Sequence, residues 1–594
     1  MTDLTIPQQL QQLVAGQVIR PEGEQSYAFR HALLHEAVYG TLLRRERREV
    51  HGAVARALEA LYAGTLDEHL ADLAHHYFEN EAWDKALSYA RRAGELAQQR
   101  FAPHEAQAHY CQAIAAAERL GTMPPPELYR ARGQVREMLG DFAGARADHE
   151  TALAAARAVA QPPAEWQALL DLGYLWAGRD YAETGRYFQQ ALALARTLGD
   201  PATLGRSLNR VGNWHFNREE IPEALQAHAE ALALFEAHPD PRGLAETLDL
   251  LGLTHGYFGD VYAGRRYYER AIALFRELDD RRGEASALAV MADLGPTFAS
   301  DVVEPAISLR EAHFLIDQAL RLTCQIHWRA GEAYARLSLG SARLSAGDFA
   351  QAQREAQHGA AIAAEIDHRQ WQTLGHLIRA NIELELGQFA QARASAQTTI
   401  HGAQEINSPL WERYGRAVLA SACLELGALD EAEAALADLS PTRRPNTAAL
   451  RQMELALGRL ALERGDPPAA LAIVERLRAS VPNPTPGAII ARLWKLHAEA
   501  LAAQGRWAEA EALLLAALPP AREIRVMVWR LHASLAGVYA AQGRAADAAA
   551  QVAAARQVVS AVAGTIPDPA ERATFTHTAE ARLARPWPGG TVPA

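Results

Sequence analysis

The sequence predicts an all-α solenoid of stacked helical hairpins, and three observations carry that prediction. Small residues recur at fixed offsets along most of the chain, glycine-centred turns recur in step with them, and the composition favours helix nearly throughout. The 594 residues exceed what one hydrophobic core usually organises. Alanine is abundant beside Leu, Glu, Arg and Gln, a mixture that forms helices and lets them approach closely. Hydrophobic residues at 49% and charged ones at 22% are ordinary, so the array must be specified by pattern.

The pattern is clearest in two neighbouring units, LNRVGNWHFNREEIPEALQAHAEALALF and LDLLGLTHGYFGDVYAGRRYYERAIALF. Gly212 aligns with Gly252, Ala224 with Gly264 and Ala231 with Ala271. A bulky side chain at these positions would separate the two helices of a hairpin where they cross. The arrangement resembles the tetratricopeptide repeat, with hairpins lengthened to a period of about forty residues. In the same frame, small first-helix residues fall at Gly133, Gly173, Gly212, Gly252, Ala292, Gly340, Ala380, Ala420, Gly458, Ala498 and Ala536. Their second-helix counterparts include Ala145, Ala224, Ala352, Ala392, Ala432, Ala470, Ala510 and Ala548.

The turns keep the same phase. LGDFAGA, FGDVYAG, AGDFAQA, LGQFAQA and RGDPPAA each supply a glycine suited to the left-handed residue after a helix. Where an aspartate follows, it can cap the next helix. The long step from Ala292 to Gly340 contains LGPTFASDVVEPAIS, read as an inserted loop. Each hairpin must bury its apolar face on its neighbours, so a right-handed superhelix is expected, with a concave groove lined by first helices.

The ends depart from the repeat. Ala86 and Ala106 lie only twenty residues apart, so one helix is expected to serve two adjacent hairpins. Before them stand Phe29, Arg30, His31, Ala32 and Leu33, a basic helix beginning near Arg44, and LADLAHHYFENEAWDKALSYARRAGELA. This segment resembles the stretch between ATPase module and repeats in large bacterial signal-transduction ATPases. These include LuxR-type and antibiotic-regulator-type transcription factors and proteins fused to nucleotide cyclases. IPDPAERATF near the C-terminus is similar to the ending of such chains. The resemblance implies a partial winged helix that ends in a short hairpin. It does not carry over ATPase activity, because no GxxxxGK[ST] phosphate loop is present. A C-terminal helix-turn-helix is also missing. The expected divisions are 1–63, partial winged helix and basic linker helix; 64–121, compact N-terminal repeats; 122–560, the repeat array; and 561–594, a C-terminal tail.

Charge and motifs narrow the function. A net charge of -12 argues against direct nucleic-acid binding. There is no secretory signal pattern and no apolar stretch of membrane-spanning length. Cys111, Cys324 and Cys423 form no CxxC pair, which fits a reducing cytoplasm. No nucleophile elbow or Cys–His signature stands out, so no catalytic residue, cofactor or metal is assigned. His31 and His35 have a spacing that can share a metal, but Glu36 does not complete HExxH and no third ligand is evident. The consecutive His75 and His76 are read as packing or surface residues on different helix faces. Arg44, Arg45, Arg47 and Arg48 can meet phosphate, although Glu46 and Glu49 interrupt the run and a solvated helix face is the default reading.

The groove is the main functional candidate. Arg206, Asn209, Asn213, Phe216 and Asn217 are placed on its concave side. Asparagines can hold both backbone groups of an extended peptide, and arginine a carboxylate. Asp249 nearby would oppose an acidic ligand. The sequence therefore reads as a non-enzymatic interaction scaffold or sensor in bacterial signalling or transcriptional regulation. Its expected partner is a protein or peptide, such as a separately encoded ATPase or regulator. A small-molecule inducer sensor and the regulatory half of a split ATPase are the alternatives.

Overall fold

A computed structural model describes residues 5–22, 26–100, 102–297, 303–437, 439, 445–483 and 490–584. The chain start 1–4, the middle of the expected insertion at 298–302 and the last ten residues of the tail lie outside the described residues. The chain forms two compact units, 1–171 and 172–594.

The first unit opens with α1 (Ile6–Ala15) and a two-stranded antiparallel ribbon, β1 (Ile19–Pro21) and β2 (Tyr27–Phe29). Helices follow as α2 (Ala32–Thr41), α3 (Arg44–Leu61), α4 (Leu70–Glu79), α5 (Trp83–Gln99), α6 (Pro103–Arg119), α7 (Pro126–Met138) and α8 (Phe142–Ala158). Ala86 and Ala106 fall on the separate helices α5 and α6, and α5 packs against both α4 and α6. Helix α9 (Pro162–Trp176) runs across the boundary between the units.

The second unit continues with α10 (Tyr181–Leu198), then the pairs α11 (Pro201–Asn217) and α12 (Ile221–Ala237), and α13 (Pro241–Phe258) and α14 (Val261–Glu277). Next come α15 (Arg281–Met291), a short 3-10 turn at Ala292–Leu294, and α16 (Leu309–Gln325). The pairs α17 (Arg329–Ser345) and α18 (Phe349–Glu365), α19 (Arg369–Leu386) and α20 (Phe389–Glu405), and α21 (Pro409–Glu425) and α22 (Leu429–Leu436) follow. The array ends with α23 (Ala448–Glu463) and α24 (Pro467–Ser480), α25 (Ala491–Ala503) and α26 (Trp507–Ala521), α27 (Arg525–Ala541) and α28 (Ala545–Ala563), and the unpaired α29 (Pro569–Ala584). Odd-numbered first helices from α11 to α27 touch one another in sequence and form the inner layer. This is a tetratricopeptide-like, all-α solenoid.

Glycine in the first helix makes room for a ring in the second. A Cβ on Gly173 would meet Phe188 at 2.2 Å, one on Gly212 would meet His228 at 2.6 Å, and one on Gly252 would meet Tyr268 at 2.9 Å. Where the frame carries alanine, as at Ala380 and Ala420, that alanine is fully buried. Turns follow their chemistry: the Asp260 carboxylate accepts from Ala263 N–H at 3.1 Å, and that of Asp466 from Ala469 N–H at 3.0 Å.

Within residues 172–594 the superhelix closes on itself along its axis. The turn joining a first to a second helix meets the junction before a first helix roughly five hairpins later. Tyr181 N–H donates to the Ile406 carbonyl at 2.9 Å, and Gln370 N–H to the Gly178 carbonyl at 2.9 Å. Arg451 Nη2 donates to the Phe258 carbonyl at 2.6 Å, across 193 residues. Phe349 N–H donates to Thr565 Oγ1 at 3.1 Å, across 216 residues. Successive superhelical turns therefore rest edge to edge, and the largest core cluster draws on residues from Tyr181 to Ala579.

Candidate functional site: an axial cavity

The last superhelical turn encloses a cavity of about 580 Å³ lined by α19, α21, α23, α25, α27 and α29. The lining helices form a ring. Each first helix from α19 to α27 touches the next, Trp529 of α27 meets Phe575 of α29 edge-on at 6.4 Å, and α29 touches α19. The repeat frame explains which side chains point inward. One residue after the small position stand Asn381, Ser421, Arg459 and Glu499; five after it stand Glu385, Glu425 and Glu463. Lys495 stands three before it, and Arg492 and Arg530 six before it.

The cavity is ionic. Arg459, Arg492, Lys495, Arg530 and Arg582 face Glu385, Glu425, Glu463 and Glu499. Several pairs span the ring. Arg582 of α29 reaches Glu425 of α21 at 2.6 Å, where Arg459 joins at 2.7 Å. Arg530 of α27 reaches Glu385 of α19 at 2.6 Å, with Arg492 at 3.7 Å. Glu499 pairs with Lys495 and accepts from Ser534 Oγ at 2.7 Å.

The electrostatics follow from burial and pairing. Burial opposes charge on Glu425, but Arg582 and Arg459 overcome it and pull the carboxyl down to about 2. Burial pulls Arg530 down to about 10 despite Glu385. Glu463 has no carboxylate-to-cation contact within ion-pair distance among the described residues, and burial pushes it up. By count, the five cations lining the cavity outnumber its four carboxylates by one.

The residues expected to line a groove on α11 occupy the same frame positions but a different environment. Asn209 is fully buried, donates to Thr247 Oγ1 at 2.8 Å and lies 3.4 Å from His228 Nδ1. Asn217 is buried and donates to the Asn213 carbonyl at 2.9 Å. Phe216 is buried against Tyr257, ring centroids 5.3 Å apart. Arg206 is exposed and pairs with Asp240 at 3.0 Å. Asn213 is half-buried. Just beyond, Glu219 meets Arg413 and Thr447 of the next superhelical turn. Stacking of that turn is what occupies this end of α11. Asp249, set against an acidic ligand in the sequence, is itself half-buried, and desolvation pushes its carboxyl up to about 7.

In the first unit the basic run of α3 is partnered. Arg44 and Arg48 share Glu81 at 2.6 and 2.9 Å, Arg45 pairs with Glu49 at 2.9 Å, and the Arg47 guanidinium lies 5.2 Å from the Tyr39 ring centre. His31 precedes α2 with an extended backbone, so the four-residue helical spacing to His35 does not bring the two together. His35 instead packs between Phe29 and Tyr39. His75 and His76 do not diverge onto separate faces: their ring centres are 5.2 Å apart, and both face His51. The splay of about 100° between consecutive helix positions is small enough for both rings to flank one neighbour.

The cavity residues were legible as frame positions but not as a site. Repeat phase marks which side chains face inward, while the choice of repeats depends on where the superhelix closes.

No protein-family model matches the chain, and no curated protein matches it. Solved structures similar to it include the Cut9–Hcn1 hetero-tetramer of the APC/C, with a TM-score of 0.48 and 14% identity, covering 92% of this chain and 95% of that one. Tom70 of yeast has a TM-score of 0.31 and 14% identity, covering 84% and 96%. A Rap protein complexed with competence and sporulation factor has a TM-score of 0.40 and 14% identity, covering 66% and 97%. The hairpin-solenoid assignment stands on the helix order and packing described above. Among the described residues, no helix is long and apolar enough to cross a membrane.

Proposed function

We propose that this chain is the sensor region of a bacterial signalling or transcriptional regulator, and that its axial cavity takes a short peptide segment through an acidic group such as a terminal carboxylate. The observation that carries this reading is the ring of helices with five cations and four carboxylates turned inward. A carboxylate entering there exchanges one ion-pair partner for another, so its desolvation is offset. Arg492, 3.7 Å from Glu385, and Arg459, 2.7 Å from Glu425, are the arginines that would make the bidentate contact. The signalling context is supported by the segment from Phe29 to the basic helix α3, which resembles the connector in signal-transduction ATPases. A separately encoded ATPase or regulator is the partner that resemblance favours.

A small-molecule inducer is the second reading. Its support is the closure of the ring and a volume within the range of about 300–1,000 Å³ common to small-ligand pockets.

The test uses the full chain as bait in native extract beside a Ser421→Trp variant, whose indole fills much of the cavity. Retention of a protein or peptide by the first bait and its loss from the second, with helicity unchanged, supports the reading. Equal retention by both places binding elsewhere. Thermal stabilisation by small anions alone, with no peptide retained, favours the inducer.

A further inference from the structure

We propose that His51, His75 and His76 form a binding site for a divalent transition-metal ion of the zinc class, clamping α3 to α4 in the first unit. The three side chains offer ring nitrogens that all lie within 4.8 Å of one another, on two helices held in contact. Among the described residues, this is the one cluster of three or more such ligands. His51 Nδ1 and His76 Nδ1 face each other at 2.7 Å. That distance means a single proton between two lone pairs, the position a metal ion would take. Two nitrogens on one tetrahedral zinc stand roughly 3.3 Å apart, given bonds of about 2.0–2.1 Å. The His51–His76 pair therefore opens by roughly 0.6 Å, and the exposed His75 side chain swings inward.

The surroundings fit such a site. His51 is buried, and its other ring nitrogen lies 2.9 Å from the Tyr39 hydroxyl. A hydrogen bond to the nitrogen that does not bind metal is the usual way a ligating imidazole is oriented. Tyr39 in turn stacks on His35, with ring centres 5.9 Å apart. Asp72 and Glu79 on α4 act on this cluster with favourable sign for a cation, against Arg47 on α3. Three imidazoles with solvent at the exposed His75 side leave a fourth position for water. That donor set suits zinc, and also nickel or copper, over magnesium or calcium.

Equilibrium dialysis of the full chain against Zn2+ decides the matter. Wild type is expected to retain about one equivalent, and both His75→Ala and His76→Ala to lose it, with affinity reduced at least tenfold. His75 is exposed, so H75A removes a ligand without disturbing the core. If H76A unfolds, H75A still decides. The cobalt-loaded chain should show ligand-field bands without thiolate charge transfer. Failure of wild type to retain zinc, full retention by H75A, or a thiolate band from Cys111, Cys324 or Cys423 would each overturn the proposal.

Discussion

Two carboxyls in the second unit, one buried and one half-buried, respond to pH in opposite directions. Asp293 is enclosed by the solenoid and accepts from the Tyr334 hydroxyl at 2.6 Å, with no cation within ion-pair distance among the described residues. Burial pushes it up to about 7, against an ordinary value of 3.8. The native state thus holds a proton that the unfolded chain gives up, and the stability it confers is lost as pH rises from about 4 through about 7. Asp293→Asn keeps a neutral, equally sized group. It is expected to remove that loss, so the variant gains on the order of 1 kcal/mol over wild type at pH 8 and nothing at pH 4. Glu425 behaves oppositely. Its carboxyl sits at about 2, so the contribution of its two arginines is present above about 4.5 and fades as pH falls toward 2. Glu425→Gln leaves Arg582 and Arg459 without their carboxylate. A loss of about 2 kcal/mol at pH 7 is expected, below the range for fully buried pairs because both arginines are a third exposed. Unfolding midpoints between pH 3 and 8 check both. A Glu425→Gln deficit that persists undiminished at pH 3 would assign the loss to packing.

At the scale of the element, the turns carry information that periodicity does not. Gly259 and Gly427 both end first helices with positive φ, 101° and 72°. A Cβ on Gly259 would stand 2.8 Å from the Arg451 guanidinium of the next superhelical turn, whereas one on Gly427 meets nothing within 4 Å. Alanine at Gly427 is expected to cost about 1 kcal/mol from the backbone alone. Alanine at Gly259 should cost at least about 1 kcal/mol more, because the fully buried Arg451 has little room to withdraw. Urea denaturation of both variants measures the difference, and equal losses would mean that Arg451 shifts freely. Helices, hairpin phase and caps were legible in the sequence because each is fixed within about forty residues by Gly, Asp and small side chains. The contacts of Gly178, Phe258 and Phe349 with later turns were not, because they are single polar contacts with no period. The same limit hid the histidine cluster. His51 and His76 are 25 residues apart and meet only because α3 packs on α4.

For the second unit as a whole, edge-to-edge stacking changes how stability is shared. A simple solenoid is nearly one-dimensional: each hairpin feels its neighbours, and a perturbation dies out within one or two repeats. Here Arg451 spans two superhelical turns, donating to Ser480 Oγ and the Ser480 carbonyl at 3.0 Å each, and to the Phe258 carbonyl at 2.6 Å. Among the described residues no carboxylate is paired with it, and burial pulls it down to about 10, so its charge is held by carbonyl and hydroxyl oxygens from distant parts of the chain. Arg451→Ala should therefore raise amide exchange in two separate stretches. One is its own neighbourhood in α23 and the end of α24. The other is the end of α13 around Phe258, nearly two hundred residues earlier. Native-state hydrogen exchange read by mass spectrometry resolves the two. If protection falls only between α21 and α25, the turns touch without sharing stability, and the second unit behaves as a linear array. If it falls at Phe258 as well, while α17 and α18 between the two stretches stay protected, stability passes along the superhelical axis. The cavity ring is then held by the preceding superhelical turn as well as along the chain.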